Sequence, residues 1–229
     1  MIGKKRILAI IPARGGSKRL LGKNMRPLDE VPLIVYSINA AKQCEVIDRI
    51  IVSTDSEDIA KVAIDAGAEV DVRSKKLSSD NVTTIDVVKD LLERFRAFDI
   101  CVTLQPTSPL RTADDIQGSL DLFESKKADA VISVCKAEHP PQWTSTIGKN
   151  NEMDIFARQL VQNKRSQDFG DFYRLNGAIY CNSVHKLMEA VSPIFEDNSY
   201  AYVMPFNRSI DIDTLEDFEL AEFYLSKKK

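Results

Sequence analysis

Unbroken apolar runs that alternate with helix-period stretches constrain this chain more than any other feature. Residues 7–11, 49–53, 68–72, 100–104 and 130–134 read as strands. Between them, residues 33–43, 56–66, 83–98 and 112–125 carry apolar side chains at helical spacing, with Val87, Val88, Leu91, Leu92 and Phe95 the clearest set. Ser56 is placed to cap one helix and Gly67 to stop it. Asp114 and Asp115 stand in the first turn of another, where carboxylates complement the helix dipole. Strands that are apolar throughout are buried on both faces, as in parallel sheets covered by helices. The β-α-β-α order therefore predicts an α/β domain with a mostly parallel central sheet and right-handed crossovers. A length of 229 residues suits a single domain, 1–229.

The rhythm breaks after Cys135. Residues 136–173 are polar, with Pro140-Pro141, Gly148 and Asn150-Asn151. So long a stretch without a clear element is usually functional: a lid, an arm toward a partner subunit, or a disordered insert. The pattern resumes with a strand at 178–181, a helix at 183–190, a strand at 201–204 and a helix at 214–226.

Charge and composition exclude several functions. A net charge of −3 argues against a general nucleic-acid binder. No apolar run approaches the roughly 20 residues of a membrane span. The apolar run at 7–12 is too short for a signal-peptide core and lacks a small-residue cleavage site, so a cytoplasmic location is expected. Cys44, Cys101, Cys135 and Cys181 form no CxxC and are expected to be reduced and mostly buried. With only His139 and His185 in the chain, a multi-histidine metal site is ruled out. A metal would have to be held by carboxylates, which suits a hard cation such as Mg²⁺. His139, beside two prolines, is expected to shape the insert, and His185 to lie on a helix surface.

The strongest local signal follows the first strand. Arg14, Lys18, Arg19, Lys23 and Arg26 stand close together around Gly15-Gly16 with no acid among them. Adjacent glycines allow a tight turn that offers backbone N–H groups to a ligand. The loop leaves the carboxyl end of a buried strand, where open α/β sheets bind ligands. A polyphosphate suits this chemistry, and a solvated basic turn is the bland alternative. The loop is neither a Walker A sequence nor a GxGxxG fingerprint.

These residues carry a resemblance. The run from Ala9 to Lys18, followed by Lys23-Asn24, is similar to the signature of the acylneuraminate cytidylyltransferases, or CMP-nonulosonic acid synthetases. Arg73 with Leu77-Ser78-Ser79-Asp80, the run from Leu104 to Arg111, Asn176-Gly177-Ala178-Ile179-Tyr180 and the run from Ser209 to Thr214 extend it in the family's order. The resemblance implies a three-layer sandwich of the nucleotide-diphospho-sugar transferase type. It implies CMP transfer from CTP to the anomeric hydroxyl of a sialic-acid-like sugar acid, with release of pyrophosphate and with Mg²⁺.

By the same resemblance Ala13, Arg14, Gly16, Ser17, Lys18, Lys23 and Asn24 belong to the triphosphate loop, with Arg14 and Lys23 the main transition-state stabilisers. Arg19 reads as an exposed loop charge. Arg73, Ser79 and Thr84 fall at or near cytosine-side positions, although Thr84 also suits a helix N-cap. Gln105, Arg165, Asn176, Tyr180 and Phe195 fall at or near sugar-side positions, with core packing the alternative for Tyr180 and Phe195. Arg111 either holds its loop or binds an anion.

Asp211 and Asp213 are the metal candidates, since residues i and i+2 of an extended segment share a face. Either is also a candidate general base, and Asp213 a candidate helix cap. The insert at 136–173 matches the family's dimerisation arm, which would complete the partner's sugar site in a homodimer. Sialic acid enzymes often carry a lysine shortly after the equivalent of His139-Pro140; this chain reads Pro141-Gln142-Trp143 there, which leaves room for legionaminate or another diamino relative.

Two other readings stay open. One is the related synthetase for 3-deoxy-manno-octulosonate, against which Gln105-Pro106-Thr107-Ser108-Pro109 and Asn24 argue. The other is a non-catalytic nucleotide-binding protein on the same fold. Survival of Arg14, Lys23, Asp211 and Asp213 argues against that one.

Overall fold

The computed structural model describes residues 5–17, 19–79, 82–159 and 170–227. Its centre is a seven-stranded sheet. In chain order the strands are β1 (Ile7–Pro12), β4 (Arg49–Thr54), β5 (Glu69–Val72), β6 (Ile100–Leu104), β7 (Ala130–Lys136), β8 (Tyr173–Ser183) and β9 (Ser199–Val203). A small hairpin of β2 (Pro27–Leu28) and β3 (Val31–Pro32) lies apart from it. The spatial order is β5-β4-β1-β6-β8-β7-β9, and in this sheet β8 alone runs against the others.

The apolar strands are buried on both faces, as their composition predicts. In β1, Ile7, Ala9 and Ile11 pack into one core, against α1 (Leu33–Lys42), α2 (Glu57–Asp65) and α4 (Ala113–Lys126). Leu8 and Ile10 face the opposite core, with α3 (Thr84–Arg94) and α6 (Val184–Glu189). These are the three layers. A third cluster joins α7 (Leu215–Ser226) to Leu20, Leu28, Leu110, Ile210 and Ile212, and so ties the chain's last helix to the loops after β1 and β6.

Several boundaries differ from the sequence pattern, each for a local reason. α3 stops at Arg94 because Phe95 leaves helical geometry, and Phe98 turns into the core on its own. The cap of α3 is Thr83, which forms a reciprocal capping box with Asp86; Thr84 is the first helical residue. Likewise Thr214 and Asp217 cap α7, so Asp213 is not the cap. The strand expected at 178–181 extends from Tyr173 to Ser183 and pairs antiparallel on both sides. Its first three residues, Tyr173, Arg174 and Leu175, are exposed, and a register shift opposite Ile132/Val134 interrupts the ladder, so they read as part of the insert. The insert itself carries α5 (Asp154–Gln159). No helix among the described residues is long and apolar enough to cross a membrane. All four cysteines are free and buried.

Candidate active site

The loops at the carboxyl ends of β1, β5 and β6 enclose a cavity of about 580 Å³. Arg14, Ser17, Lys23, Asn24, Arg73, Ser79, Thr84 and Gln105 all line it, together with Asp213. The carboxyl edge of an open parallel sheet is where such folds bind ligands.

The basic loop is held by its own backbone. The Gly15 N–H donates to Asp55 Oδ1 at 2.7 Å, and a Cβ at Gly15 would stand 3.0 Å from Ser56 Cβ, so a side chain here would push the loop off α2. Asn24 Nδ2 donates to the Arg14 carbonyl at 3.0 Å and ties the two ends of the loop together. Lys23 is only 8% exposed. Its ammonium donates to the Ile212 carbonyl and, at 3.0 Å, to Asp213 Oδ1. Arg19, expected as an exposed charge, is exposed over 73% of its side chain and also pairs with Asp213 Oδ2 at 2.6 Å. One carboxylate thus gathers two of the loop's cations across 190 residues of sequence or more.

Arg73 comes from the end of β5. Its guanidinium donates to Ser53 Oγ at 3.0 Å and to the Ser53 carbonyl at 2.8 Å, and Ser53 Oγ in turn donates to Asp71 Oδ2. Burial pushes the Arg73 pKa down, Asp55 and Asp71 push it back up, and the charge of Arg14 lowers it further. Two guanidiniums that disfavour each other across one cavity make a site for an anion.

Asp211 and Asp213 alternate with buried Ile210 and Ile212, so the alternation expected of an extended segment holds although 209–213 pairs in no ladder. Burial raises the Asp211 carboxyl above its ordinary range. A hydrogen bond from Thr107 and the charge of Lys23 oppose that rise, and Asp213 adds to it. Among the described residues no group of three or more His, Cys, Asp or Glu forms a protein-only metal cage. Asp213 lines the cationic cavity and Asp211 does not; as oxygen-only carboxylates the two are the donor set for a hard cation that a polyphosphate ligand would help to bind. Asp211 and Asp213 fit Mg²⁺ in that sense.

Gln105 links this cavity to a second one of about 310 Å³, which also shares Thr83 and Thr84. Tyr180 lines it, among Ile85, Val88, Leu187, Val191 and Pro193. Burial and the charge of Asp211 both raise the Tyr180 pKa, which sets that phenol near the carboxylates. Gly177 has φ +73, and a Cβ there would approach Gln105 Oε1 to 3.4 Å and Asp211 Oδ2 to 3.5 Å. Backbone at this position brings both side chains together.

Other expected residues lie elsewhere. The Ala13 methyl is in the core and its N–H donates to the Ser53 carbonyl, so Ala13 offers the cavity no backbone donor and does not line it. Gly16 is exposed on the loop and lines neither cavity. Asn176 is 1% exposed and lines neither. Its amide accepts from Ser133 Oγ at 2.6 Å and donates to Ser209 Oγ at 2.9 Å, so it braces β8 against the segment that carries Asp211. Phe195 packs onto the core under α3. Lys18 and Arg165 lie outside the described residues. His139 sits near Trp143, with ring centroids 6.2 Å apart, and His185 lies exposed on α6 beside Glu189.

Reading from sequence missed Arg19, Thr83 and Thr107 as cavity residues. Arg19 had a signal, its place in the basic run. Thr107 had none beyond its motif.

Fold and cavity together define an α/β nucleotide-binding enzyme. A cytidylyltransferase family model matches residues 8–226, and the chain belongs to the cytidylyltransferase family. It is 38% identical over 223 residues to a CMP-N,N'-diacetyllegionaminic acid synthase of Legionella pneumophila, covering 95% of each chain. It is 34% identical over 227 residues to an N-acylneuraminate cytidylyltransferase of Escherichia coli, covering 98% of this chain and 53% of that protein. The chain therefore spans nearly all of the first relative and about half of the second. Among solved structures, a CMP:2-keto-3-deoxy-manno-octonic acid synthetase complexed with CTP superposes with a TM-score of 0.75 at 15% identity, covering 98% of this chain and 100% of that one. At that identity the likeness establishes the fold.

Proposed function

We propose that the chain transfers CMP from CTP to the anomeric hydroxyl of a nonulosonic acid and releases pyrophosphate. The observation that carries this reading is the junction at Gln105, where a cationic cavity meets a second, largely apolar one. The first cavity takes CTP: Arg14, Ser17, Lys23 and Asn24 line it and, with Lys18 from the same loop, serve the triphosphate. Arg73, Ser79 and Thr84 hold the cytosine side. The second takes the sugar, between Gln105 and Tyr180.

In the reaction the anomeric oxygen attacks the α-phosphorus, the bond from that phosphorus to the bridging oxygen of the β-phosphate breaks, and pyrophosphate leaves. Negative charge grows on the leaving group, where Arg14 and Lys23 are already fixed. Asp211, whose carboxyl is raised by burial, is the candidate to take the hydroxyl proton. Asp211 and Asp213 would hold Mg²⁺, which when bound polarises phosphoryl oxygens. Phosphate oxygens would take over Arg19 and Lys23 from Asp213. CTP use and four free, buried cysteines suit the cytoplasm.

Residues 136–173 act as a dimerisation arm in this reading, with Arg165 reaching the partner's sugar carboxylate. Ile147, Met153 and Ile155 on the arm, and Tyr173 and Leu175 where it rejoins the sheet, are exposed apolar side chains that a second copy would cover.

The sugar cavity also suggests the tail it accepts. Ile85, Val88, Leu187, Val191 and Pro193 suit methyl and acyl groups better than a glycerol chain. In a CTP assay across sugar acids, a 5,7-diacetamido nonulosonic acid should give a kcat/KM roughly tenfold or more above that of N-acetylneuraminate, with 3-deoxy-manno-octulosonate weaker than both. Preference for N-acetylneuraminate would overturn the tail assignment. Preference for the octulosonate would overturn the nonulosonic reading.

A further inference from the structure

Arg111 is 3% exposed, and among the described residues no carboxylate touches it. Burial pushes its pKa down to about 9, partly offset by the charge of Asp115, and its Nε has no hydrogen-bond partner. A guanidinium in such a place costs stability, since desolvation is not repaid by an ion pair. Its position shows what it supplies. Nη1 donates both to the Gln105 carbonyl at 3.2 Å and to the Ala178 carbonyl at 2.7 Å, and Nη2 donates to Ser37 Oγ. Ser37 Oγ itself donates to the Gln105 carbonyl at 3.4 Å. Gln105 and Gly177, the neighbour of Ala178, are the two residues that meet at the junction of the cavities. A single nitrogen therefore pins the backbone on both sides of that contact, and α1 locks the nitrogen's own group from behind.

We propose that Arg111 is a positioning residue for sugar transfer, acting through Gln105 without touching either substrate. The proposal rests on the reading that Gln105 faces the sugar acid. Lysine at this position keeps a charge but not a planar fork, so it can hold one carbonyl and not the pair. A small displacement of Gln105 is enough to slow transfer strongly. CTP, held in the first cavity chiefly by Arg14, Lys23 and Arg73, should register it little, although Gln105 also lines that cavity.

The test is a double-mutant cycle on the full chain with Arg111→Lys and Gln105→Ala, and a second cycle with Ser37→Ala, a smaller lesion of the same clamp that serves if the lysine variant does not fold. Three quantities are read: kcat/KM for the sugar acid, Kd for CTP without sugar, and Tm. The account expects Arg111→Lys to lower kcat/KM for the acid by about tenfold or more and Ser37→Ala by about two- to fivefold, with Kd for CTP unchanged within about twofold. In the Gln105→Ala background either clamp variant should add less than about twofold. Losses that multiply in the double variants, losses confined to CTP binding, or folded clamp variants with parental kcat/KM would each overturn the proposal. If Gln105→Ala itself leaves kcat/KM for the acid unchanged, the assignment of Gln105 to the sugar fails, and the proposal with it.

Discussion

Lys23→Met should lower kcat for pyrophosphate release by roughly 10²–10³-fold, the usual cost of removing one fixed group that stabilises developing charge. Lys23 sits 8% exposed at the floor of the triphosphate cavity, held by the Ile212 carbonyl and by Asp213. The Ile212 carbonyl holds its position before substrate arrives, so exchanging Asp213 for a phosphate oxygen is the one rearrangement needed as charge moves to the leaving group. Methionine keeps most of the side-chain volume, so the packing of this loop should survive. The Ile212 carbonyl loses its donor, at a cost of about 1–3 kcal/mol in stability. Initial rates at saturating CTP, set beside a thermal melt, separate the two effects. A kcat within about threefold of the parent would remove Lys23 from the chemistry.

Asp211→Asn should show the opposite balance between activity and stability. Loss of the candidate base and metal ligand is expected to cost roughly 10²-fold or more in kcat. Yet in the absence of nucleotide and divalent cation the variant should melt higher than the parent at pH 7. Burial, with a contribution from Asp213, raises the Asp211 carboxyl in the folded chain above its unfolded value. The folded state then binds the extra proton more tightly, so parental stability falls as pH rises from the ordinary aspartate range, about 3.9, through the folded pKa. At pH 7 that penalty is fully present, and asparagine does not incur it. The difference in Tm should close as pH drops below about 4, where both forms are neutral. A variant less stable than the parent at pH 7, or a difference that does not vary with pH, would mean that Asp211 is stabilising as a carboxylate. Stability given up at a site for its chemistry is a common pattern in enzymes.

The parts of this molecule legible in the sequence are those whose cause is local. The strand-helix alternation located the parallel strands and the helices that cover them, because burial on both faces leaves an apolar run that needs no tertiary context to recognise. The glycine-rich cationic turn was likewise visible, since Gly15-Gly16 and the basic residues act within one loop. Parts whose cause lies far along the chain were not. Arg19 looks like a solvated charge until Asp213 is brought to it from the other end of the fold. β8 reads as four residues where it has eleven, because its first three residues are exposed and its antiparallel direction is decided by its neighbours. Asn176 looks like a ligand in a motif but is consumed as a brace between β8 and the Asp211 segment. Arg111 is the sharpest case. Composition assigns arginine to the surface, and only the folded chain shows it buried against two carbonyls.

One site is proposed to couple the CMP group of CTP to a sugar acid. The direct measurement is pyrophosphate release from CTP, with the divalent cation and a 5,7-diacetamido nonulosonic acid each supplied or withheld. Release should require all three components, yield one CMP-sugar per pyrophosphate, and disappear when GTP or ATP replaces CTP. Well-folded protein that releases no pyrophosphate with any nonulosonic acid, or that releases it equally without one, would contradict the claim.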